Sequence, residues 1–385
     1  MDEITPQHLL LGLIALNSNS SQNNNFENVD WTRLVEIAYQ HGVNGLLCRA
    51  LLQQEAGVVP AEISGACQIH LESCAEHNHK LADQLSNILS VLSSHGVSAI
   101  PFKGPVLAMK AYGDLALRSF RDLDFLVRHE QIESTLSVLR ELGYHHEHGL
   151  SPRQWRAFVG YAGQDILFGE GVPFEPHWEF APSTMALDVD YGALWDRSVD
   201  FQFNGQVVQS FAPEDELIIL CLHGCKEKWS KLKWVVDAAE FVSSNPGLDW
   251  EAVFVRAERQ GMARMVRLTL ALCQQLLSLS LPDQVVSWLN KDVIADVWAK
   301  QIAADFFNPE QNEVSIYTPS LFHWKMRERL IDKIKYFGRT ITQPRLQHFS
   351  SIKIPDSMFV AYYPFKLSHD YLALPIWKLL KRWCK

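Results

Sequence analysis

A chain of 385 residues is long enough for two or three packed units, and its balance of 47% hydrophobic to 21% charged residues is that of a globular protein with a sizeable core. The formal net charge of −9 excludes a grip on long nucleic acid through bulk positive charge. The seven scattered cysteines lack a CxxC pair, and no apolar run reaches the roughly 18 to 20 residues of a membrane span. We therefore expect a cytoplasmic protein with reduced thiols and no transmembrane segment.

The N-terminal quarter of the sequence predicts helices. A polar, low-complexity loop at 18–29 separates a first helix from the next segment, in which two helices are broken near Gly42. A long helix is predicted from Pro60, a favoured first-turn residue, to a stop signal at Gly96. Its apolar residues recur at steps of three and four, which is the period of one helix face.

After Gly96 the pattern changes to short strands. VSAIPFKG and DLDFLV predict two strands, DILFGEGVPFEPHWEF predicts a hairpin, and FQFNGQVVQSF predicts a second hairpin with an Asn-Gly turn. From Pro213 onward the sequence is nearly all helical. The fold class is therefore predicted as α+β, with a small mixed-sheet core flanked by helical regions. The predicted regions are an N-terminal helical region 1–95, an α/β core 96–210 and a C-terminal helical domain 211–385.

The segment RSFRDLDFLV carries two carboxylates at alternate positions of a predicted strand. Because side chains on a strand alternate between faces, Asp122 and Asp124 point the same way. Two ionised carboxylates repel each other, and a divalent cation held by carboxylates and substrate phosphates relieves that repulsion. Arg118 and Arg121, just upstream, are suited to phosphate oxygens. The alternative interpretation is a strand end at the surface, where the aspartates pair with these arginines.

Three segments together resemble a known family of nucleotidyltransferases. They are FKGPVLAMKAYGDLALRSFRDLDFLV, PFEPHWEF and ELIILCLHGCKEKWSKLKWVVDAAEF. They are similar, in that order, to the family's Lys-Gly turn with its acidic strand, its second acidic strand with His-Trp, and its helical segment with His, Trp and Asp. The family is usually labelled uncharacterised and belongs to the polymerase-beta-like superfamily. The resemblance covers about residues 30–370 and implies that the small mixed sheet is a nucleotidyltransferase core.

The resemblance implies transfer of a nucleoside monophosphate from a nucleoside triphosphate to an acceptor, with release of pyrophosphate. In such enzymes three acidic residues hold divalent ions, here Mg²⁺ or Mn²⁺. Asp122 and Asp124 match the first two acids, and Glu175 stands where the family usually has aspartate. ATP is the expected donor. The expected acceptor is an unidentified small molecule or protein, and not a long nucleic acid.

The resemblance also implies contacts to phosphate and a further catalytic residue. The predicted phosphate-binding residues are Lys103, Gly104, Arg118, Arg121 and Lys233. His177 would share a strand face with Glu175, so it is predicted to contact metal or phosphate or to act as a proton shuttle. The alternative interpretation of His177 is a hydrogen-bonded structural histidine.

Two other functions stay open at this point. A catalytically degenerate protein of the same fold, which binds a nucleotide or a partner, would account for Glu175 and for the absence of the superfamily's Gly-Ser turn at Gly104. A sugar-nucleotide glycosyltransferase would use the DxD motif to hold Mn²⁺. That function needs a larger nucleotide-binding domain before the motif, which the helical N-terminal region does not provide.

Two further segments are predicted to be structural. HHEH at 145–148 follows a predicted helix end, which favours an exposed turn over a metal cluster. The basic and aromatic tail YLALPIWKLLKRWCK favours packing against the helical domain over contact with an acidic membrane surface.

Overall fold

The computed structural model of the protein describes residues 5–15, 26, 28–308 and 320–374. Most of these residues are helical, and a small mixed sheet of three strands lies among the helices, which confirms the predicted α+β class. No helix within the described ranges combines the length and apolar character needed to cross a membrane. Most of the polar loop and the last eleven residues of the predicted packing tail lie outside the described residues.

The strands form one sheet of three and one ribbon of two. Their bounds are β1 Ala99–Phe102, β2 Leu123–Val127, β3 Phe174–His177, β4 Val199–Phe203 and β5 Gln206–Ser210. In the larger sheet β2 is central, antiparallel to β1 and parallel to β3. Every residue of β2 is buried, because strands flank both of its edges and apolar side chains cover its faces. The register aligns Phe102, Asp124 and Glu175 across the three strands.

The two predicted hairpins have different outcomes. The β4–β5 ribbon confirms the Asn-Gly hairpin, because Asn204 and Gly205 have φ angles of 49° and 80°, the left-handed geometry of a tight two-residue turn. The hairpin predicted before β3 is reduced to single bridges, such as the one between Leu167 and Phe174. The full ladder of β3 is with β2 on its other edge, and Phe174 is buried in the sheet core.

Helices precede, interrupt and follow the sheet. Before it lie α1 Pro6–Ile14, α2 Trp31–His41, α3 Asn44–Leu52 and α4 Ala61–Ser94. Between the strands lie α5 Gly104–Leu107, α6 Ile132–Glu141, α7 Pro152–Ala162 and α8 Tyr191–Asp196. After the strands lie α9 Pro213–Lys226, α10 Leu232–Ser244, α11 Trp250–Arg259, α12 Ala263–Leu277, α13 Asp283–Leu289, α14 Val293–Ala304, α15 Leu321–Met326, α16 Leu330–Thr342, α17 Leu346–Ser351 and α18 Tyr362–Ser368.

Helix α4 connects two hydrophobic clusters. Its 34 residues span about 50 Å. Cys67 in its first half packs in a cluster with helices α1–α3 and α9–α14, whereas Leu92 in its last turn packs in a cluster around β2, β3, α6 and α7. The predicted helix is confirmed, with Pro60 preceding its first residue and Gly96 at φ 73° following its end. The regional boundaries near residues 95 and 210 stay a prediction.

Candidate active site

The candidate active site is a cavity of about 220 Å³ where β1 ends and β2 and β3 begin. Because β2 and β3 run parallel, the second residue of each strand lies at this same edge of the sheet. Helices α9 and α10 supply the opposite wall. The predicted site residues that line the cavity are Lys103, Gly104, Arg118, Asp122, Asp124, Glu175 and Lys233.

Asp124 is a buried carboxylate with two nitrogen donors. The ammonium Nζ of Lys103 lies 2.9 Å from Oδ1 of Asp124, and Nε2 of His177 lies 2.8 Å from the same oxygen. Burial alone would raise the pKa of Asp124, but the charge of Lys103 and the contact with His177 hold that pKa below its ordinary value. Within the described part of the chain no hydrogen bond reaches Oδ2 of Asp124, so that oxygen is available to a ligand in the cavity.

The turn after β1 directs Lys103 into the cavity. Lys103 has a φ of 53° and the following Gly104 a φ of 43°, so the chain turns sharply before α5 begins. Positive φ is uncommon for a residue with a side chain and costs free energy. The buried ion pair between Lys103 and Asp124 offsets that cost, and the acidic neighbours raise the pKa of Lys103 despite the opposing effect of burial.

Glu175 and Asp122 have no direct cation contact among the described residues. Burial and the two aspartates raise the pKa of Glu175 to about 7, and Gln164 donates a hydrogen bond of 2.6 Å to its Oε2. Burial and Asp124 likewise raise the pKa of Asp122. Among the described residues, no lysine or arginine lies within 4.0 Å of either carboxylate. Of the three carboxylates, that of Asp124 is therefore the one in direct contact with an ammonium group, that of Lys103.

The chemistry of this donor set fits a divalent cation. Carboxylate oxygens are the ligands that Mg²⁺ and Mn²⁺ prefer, and a cation would relieve the repulsion that raises the pKa of Glu175. Ligand atoms of Asp124, Glu175 and His177 lie within 4.8 Å of one another. Asp122 lines the same cavity and adds a fourth candidate group.

His177 supports the acids from behind the cavity. Its side chain is 1% exposed, and its ring packs edge-on against Phe102. Burial lowers the pKa of His177 to about 4, so the ring is neutral near pH 7 and donates its single proton most favourably to Asp124. Its predicted catalytic role stays a prediction, and the geometry describes a residue that positions Asp124.

The two arginines of the motif lie in different environments. Arg118 is buried and binds Asp237 of α10 through two hydrogen bonds, from Nε at 2.8 Å and from one terminal nitrogen at 2.9 Å. Tyr112 donates a third hydrogen bond of 2.7 Å to Asp237. Arg118 therefore borders the cavity as part of a helix-to-core ion pair. Arg121 is exposed and is not among the residues that line the cavity, so the geometry does not bring it to the other site residues.

Among the cavity residues that were not predicted from the sequence, two bear directly on the charge of the site. Lys226, the last residue of α9, is 7% exposed, and burial together with the charge of Lys103 lowers its pKa. Gln164 lies on the segment beside β3 and orients Glu175. Lys226 sits in the quoted helical segment, where the stretch CKEKWSK offers several lysines and no spacing that marks one of them. The predicted Lys233 also lines the cavity, and burial lowers its pKa.

Comparison with known proteins identifies the family of this chain. The model of a family described as an uncharacterised nucleotidyltransferase matches residues 27–278, which is more than half of the chain. The solution structure of the antibiotic-resistance factor ANT(2'')-Ia is similar at 11% identity and a TM-score of 0.34, over 47% of this chain and 92% of that one. No curated protein matches the sequence. The family match spans both acidic strands and the helices that close the cavity, and the chain belongs to this uncharacterised nucleotidyltransferase family.

Proposed function

We propose that the protein uses divalent metal to transfer a nucleoside monophosphate from a nucleoside triphosphate, with ATP the expected donor, to a small molecule or protein, releasing pyrophosphate. The observation that supports this most is the convergence of Asp122, Asp124 and Glu175 on one cavity, where the single direct cation contact to them among the described residues is that of Lys103 with Asp124. Burial and the charges of the two aspartates raise the pKa of Glu175, so its ionised form carries a free-energy penalty. A bound divalent ion removes that penalty.

The protein groups divide into ion-binding and phosphate-binding sets. Asp122, Oδ2 of Asp124 and Glu175 would hold Mg²⁺ or Mn²⁺. Lys103, Lys226 and Lys233 border the same cavity and would face the triphosphate. Bound ions of this kind supply positive charge to the attacking and leaving oxygens of a phosphoryl transfer.

The proposed reaction places the acceptor's proton on Glu175. An acceptor oxygen attacks the α-phosphorus and forms the new P–O bond, while the bond to the bridging oxygen breaks and pyrophosphate leaves with that electron pair. Gln164 holds Oε2 of Glu175, so Oε1 is the oxygen proposed to take the proton.

A second cavity supports a small acceptor. It has a volume of about 570 Å³, within the range of small-molecule sites, and shares Gln164, Lys226 and Glu227 with the acidic cavity. Phe158 and Tyr161 contribute aromatic surface to its lining. An acceptor held there would reach the α-phosphorus past the shared wall.

A catalytically degenerate nucleotide-binding protein is the second candidate, and one observation favours it. The charge of Lys103 and a hydrogen bond with His177 already satisfy Oδ1 of Asp124, which reduces the demand for a metal at that carboxylate. Binding of nucleotide without metal would then rest on the lysines of the cavity.

Calorimetric titration separates the two candidates. Each of the four ribonucleoside triphosphates is titrated into wild-type protein with and without Mg²⁺, and again into an Asp122→Asn/Asp124→Asn variant. Asp200→Asn, on an exposed position of β4, is the matched control. We expect Mg²⁺-dependent binding of at least one triphosphate by the wild type and the control. The double variant should bind at least about 100-fold more weakly, since it lacks two charged ligands.

The outcome of the calorimetric titration decides between the two candidate functions. Binding that is equal with and without Mg²⁺ and survives in the double variant would support the degenerate binding protein. Mg²⁺-dependent binding justifies a screen of small hydroxyl compounds for pyrophosphate release. A failure of every triphosphate to bind would contradict both candidates.

A further inference from the structure

A second group of possible metal ligands lies outside the acidic cavity. His146, His148 and Asp165 each offer one ligand atom, and these atoms lie within 4.8 Å of one another. Nδ1 of His146 is 3.4 Å from Oδ2 of Asp165, and Nε2 of His148 is 3.1 Å from Oδ1. The sequence favoured an exposed turn for HHEH, and the structure corrects this, because two of its three histidines turn inward against a buried aspartate.

The backbone explains why the three side chains converge. His145 forms an antiparallel bridge with Phe168, so the histidine segment runs beside the segment that carries Asp165. In such extended chain, alternate residues share one face, which places His146 and His148 together with their rings stacked at 4.2 Å. The backbone N–H of Asp165 donates to the carbonyl of Pro176 in β3, which fixes the aspartate against the sheet.

The charge of Asp165 is left for a cation to balance. Asp165 is 4% exposed, and within the described ranges neither lysine nor arginine lies within 4.0 Å of its carboxylate. The histidine-rich group around Asp370 differs, because Arg345 and Lys366 contact that carboxylate at 2.6 and 2.8 Å. A metal ion would have to displace two permanent cations at Asp370 and none at Asp165.

The distances are compatible with coordination of one metal ion as well as with hydrogen bonding. Two ligands that bind zinc tetrahedrally at about 2.0 to 2.1 Å lie about 3.3 Å apart. The separations of 3.1 and 3.4 Å from Asp165 to the two histidines bracket that value, and 3.4 Å is long for a hydrogen bond to a carboxylate.

We propose that His146, His148 and Asp165 bind one transition-metal ion of the zinc class, with a fourth coordination position open. Two imidazoles and one carboxylate are a ligand set that such ions take, and three protein ligands leave one position for water or another small ligand. His148 and Asp165 also line the 570 Å³ cavity, so the open position would face it. The ion would pin the segment that carries Gln164, which holds Glu175.

The test uses Co²⁺ and Zn²⁺ as probes, with full-length protein that carries no histidine tag and has been dialysed against chelator. All variants also carry Asp122→Asn/Asp124→Asn, which removes the acidic cavity as a competing site and makes the result independent of the proposed transferase activity. His146→Asn and His148→Asn each remove one proposed ligand. His145→Asn is the matched control, because His145 is exposed and lies in the same segment.

We expect one equivalent of Co²⁺ to give the visible absorption of a four-coordinate nitrogen and oxygen site, and Zn²⁺ to displace it. The two ligand variants should bind at least about 100-fold more weakly. The control should bind as the parent does, and circular dichroism should show that all variants are folded. A spectrum with thiolate-to-cobalt absorption, equal affinity in all variants, or no binding by the parent would overturn the proposal.

Discussion

Two buried carboxylate sites lie side by side in this molecule and differ in how their charge is balanced. Asp237 receives two hydrogen bonds from Arg118 and one from Tyr112, so a full positive charge and a hydroxyl satisfy one carboxylate. In the acidic cavity, three carboxylates have a single direct cation contact within the described part of the chain, that of Lys103 with Asp124. The first arrangement is closed and holds α10 to the core, and the second is open to a ligand.

The comparison changes the role that we infer for Arg118. From the sequence, Arg118 next to an acidic strand predicts a phosphate ligand. In the structure Asp237, more than a hundred residues away, accepts hydrogen bonds from two nitrogens of Arg118, Nε and one terminal nitrogen, and the other terminal nitrogen lies 3.4 Å from the carbonyl oxygen of Gly104. Arg118 therefore acts first in the ion pair that holds α10 to the core, and its contact with phosphate stays a prediction.

The largest expected effect comes from breaking the closed site. Asp237→Ala leaves the buried charge of Arg118 without its partner, so the free energy of unfolding should fall by about 3 to 5 kcal/mol. Urea denaturation measures this. The exposed Asp200→Asn control should change stability by less than about 0.5 kcal/mol. A loss of under about 1 kcal/mol for Asp237→Ala would mean that the pair is not structurally important.

Removing a charge from the open site should have the opposite effect and raise the free energy of unfolding. The pKa of Glu175 in the folded state is about 7, against an ordinary value of 4.5, so the folded protein binds the extra proton between these values. The stability that this proton confers is complete below pH 4.5 and is lost as the pH rises to 7. At pH 8 without metal, Glu175→Gln should therefore stabilise the protein by about 1 to 3 kcal/mol.

Thermal unfolding at pH 5 and pH 8 measures the effect of Glu175→Gln, because the gain should be present at the higher pH and small at the lower one. Destabilisation at pH 8 would contradict the claim that this carboxylate carries unbalanced charge.

The ionisation of Glu175 also predicts the pH dependence of metal-dependent nucleotide binding. Cations bind the ionised carboxylate, so affinity should rise about tenfold from pH 6 to pH 8 if one proton leaves Glu175. Calorimetry in buffers of different ionisation enthalpy should detect the released proton below pH 7. Glu175→Gln should bind more weakly and lose this pH dependence, and a wild-type affinity that is flat across this range would contradict the assignment.

The smallest expected effects distinguish two cations. Lys226→Met removes a buried cation from the cavity wall, so triphosphate affinity should fall about tenfold, while stability should not decrease because burial disfavours that charge. Arg121→Met, at an exposed position away from the lining, should change affinity less than about twofold. Equal losses in the two variants, measured by calorimetry, would show that position in the cavity does not matter.

The sequence was informative where the chemistry is local. The alternation of Asp122 and Asp124, the Asn-Gly hairpin and the helix from Pro60 to Gly96 depend on neighbouring residues, and strand, turn and helix periods encode them directly. The α+β class followed from the order of these patterns. The resemblance added Glu175, and the parallel pairing of β2 with β3 places it beside Asp124.

What the sequence did not reveal depends on long-range contacts. The pairing of Arg118 with Asp237 joins residues 119 apart, and no local period connects them. Lys226 is one of several lysines in its segment, and only the packing of α9 buries it. HHEH looked exposed because the partner of its histidines, Asp165, lies on another segment.

The most direct test of the open acidic site is a titration with Mn²⁺ followed by electron paramagnetic resonance, with and without a non-hydrolysable triphosphate. Wild-type protein is compared with the Asp124→Asn variant. Among the described residues, His177 and Lys103 contact Oδ1 of Asp124, so its Oδ2 is the oxygen proposed to bind the metal. We expect nucleotide to tighten Mn²⁺ binding by the wild type and Asp124→Asn to abolish that gain. Equal Mn²⁺ binding by the two proteins in the presence of nucleotide would contradict the claim that these carboxylates hold the metal.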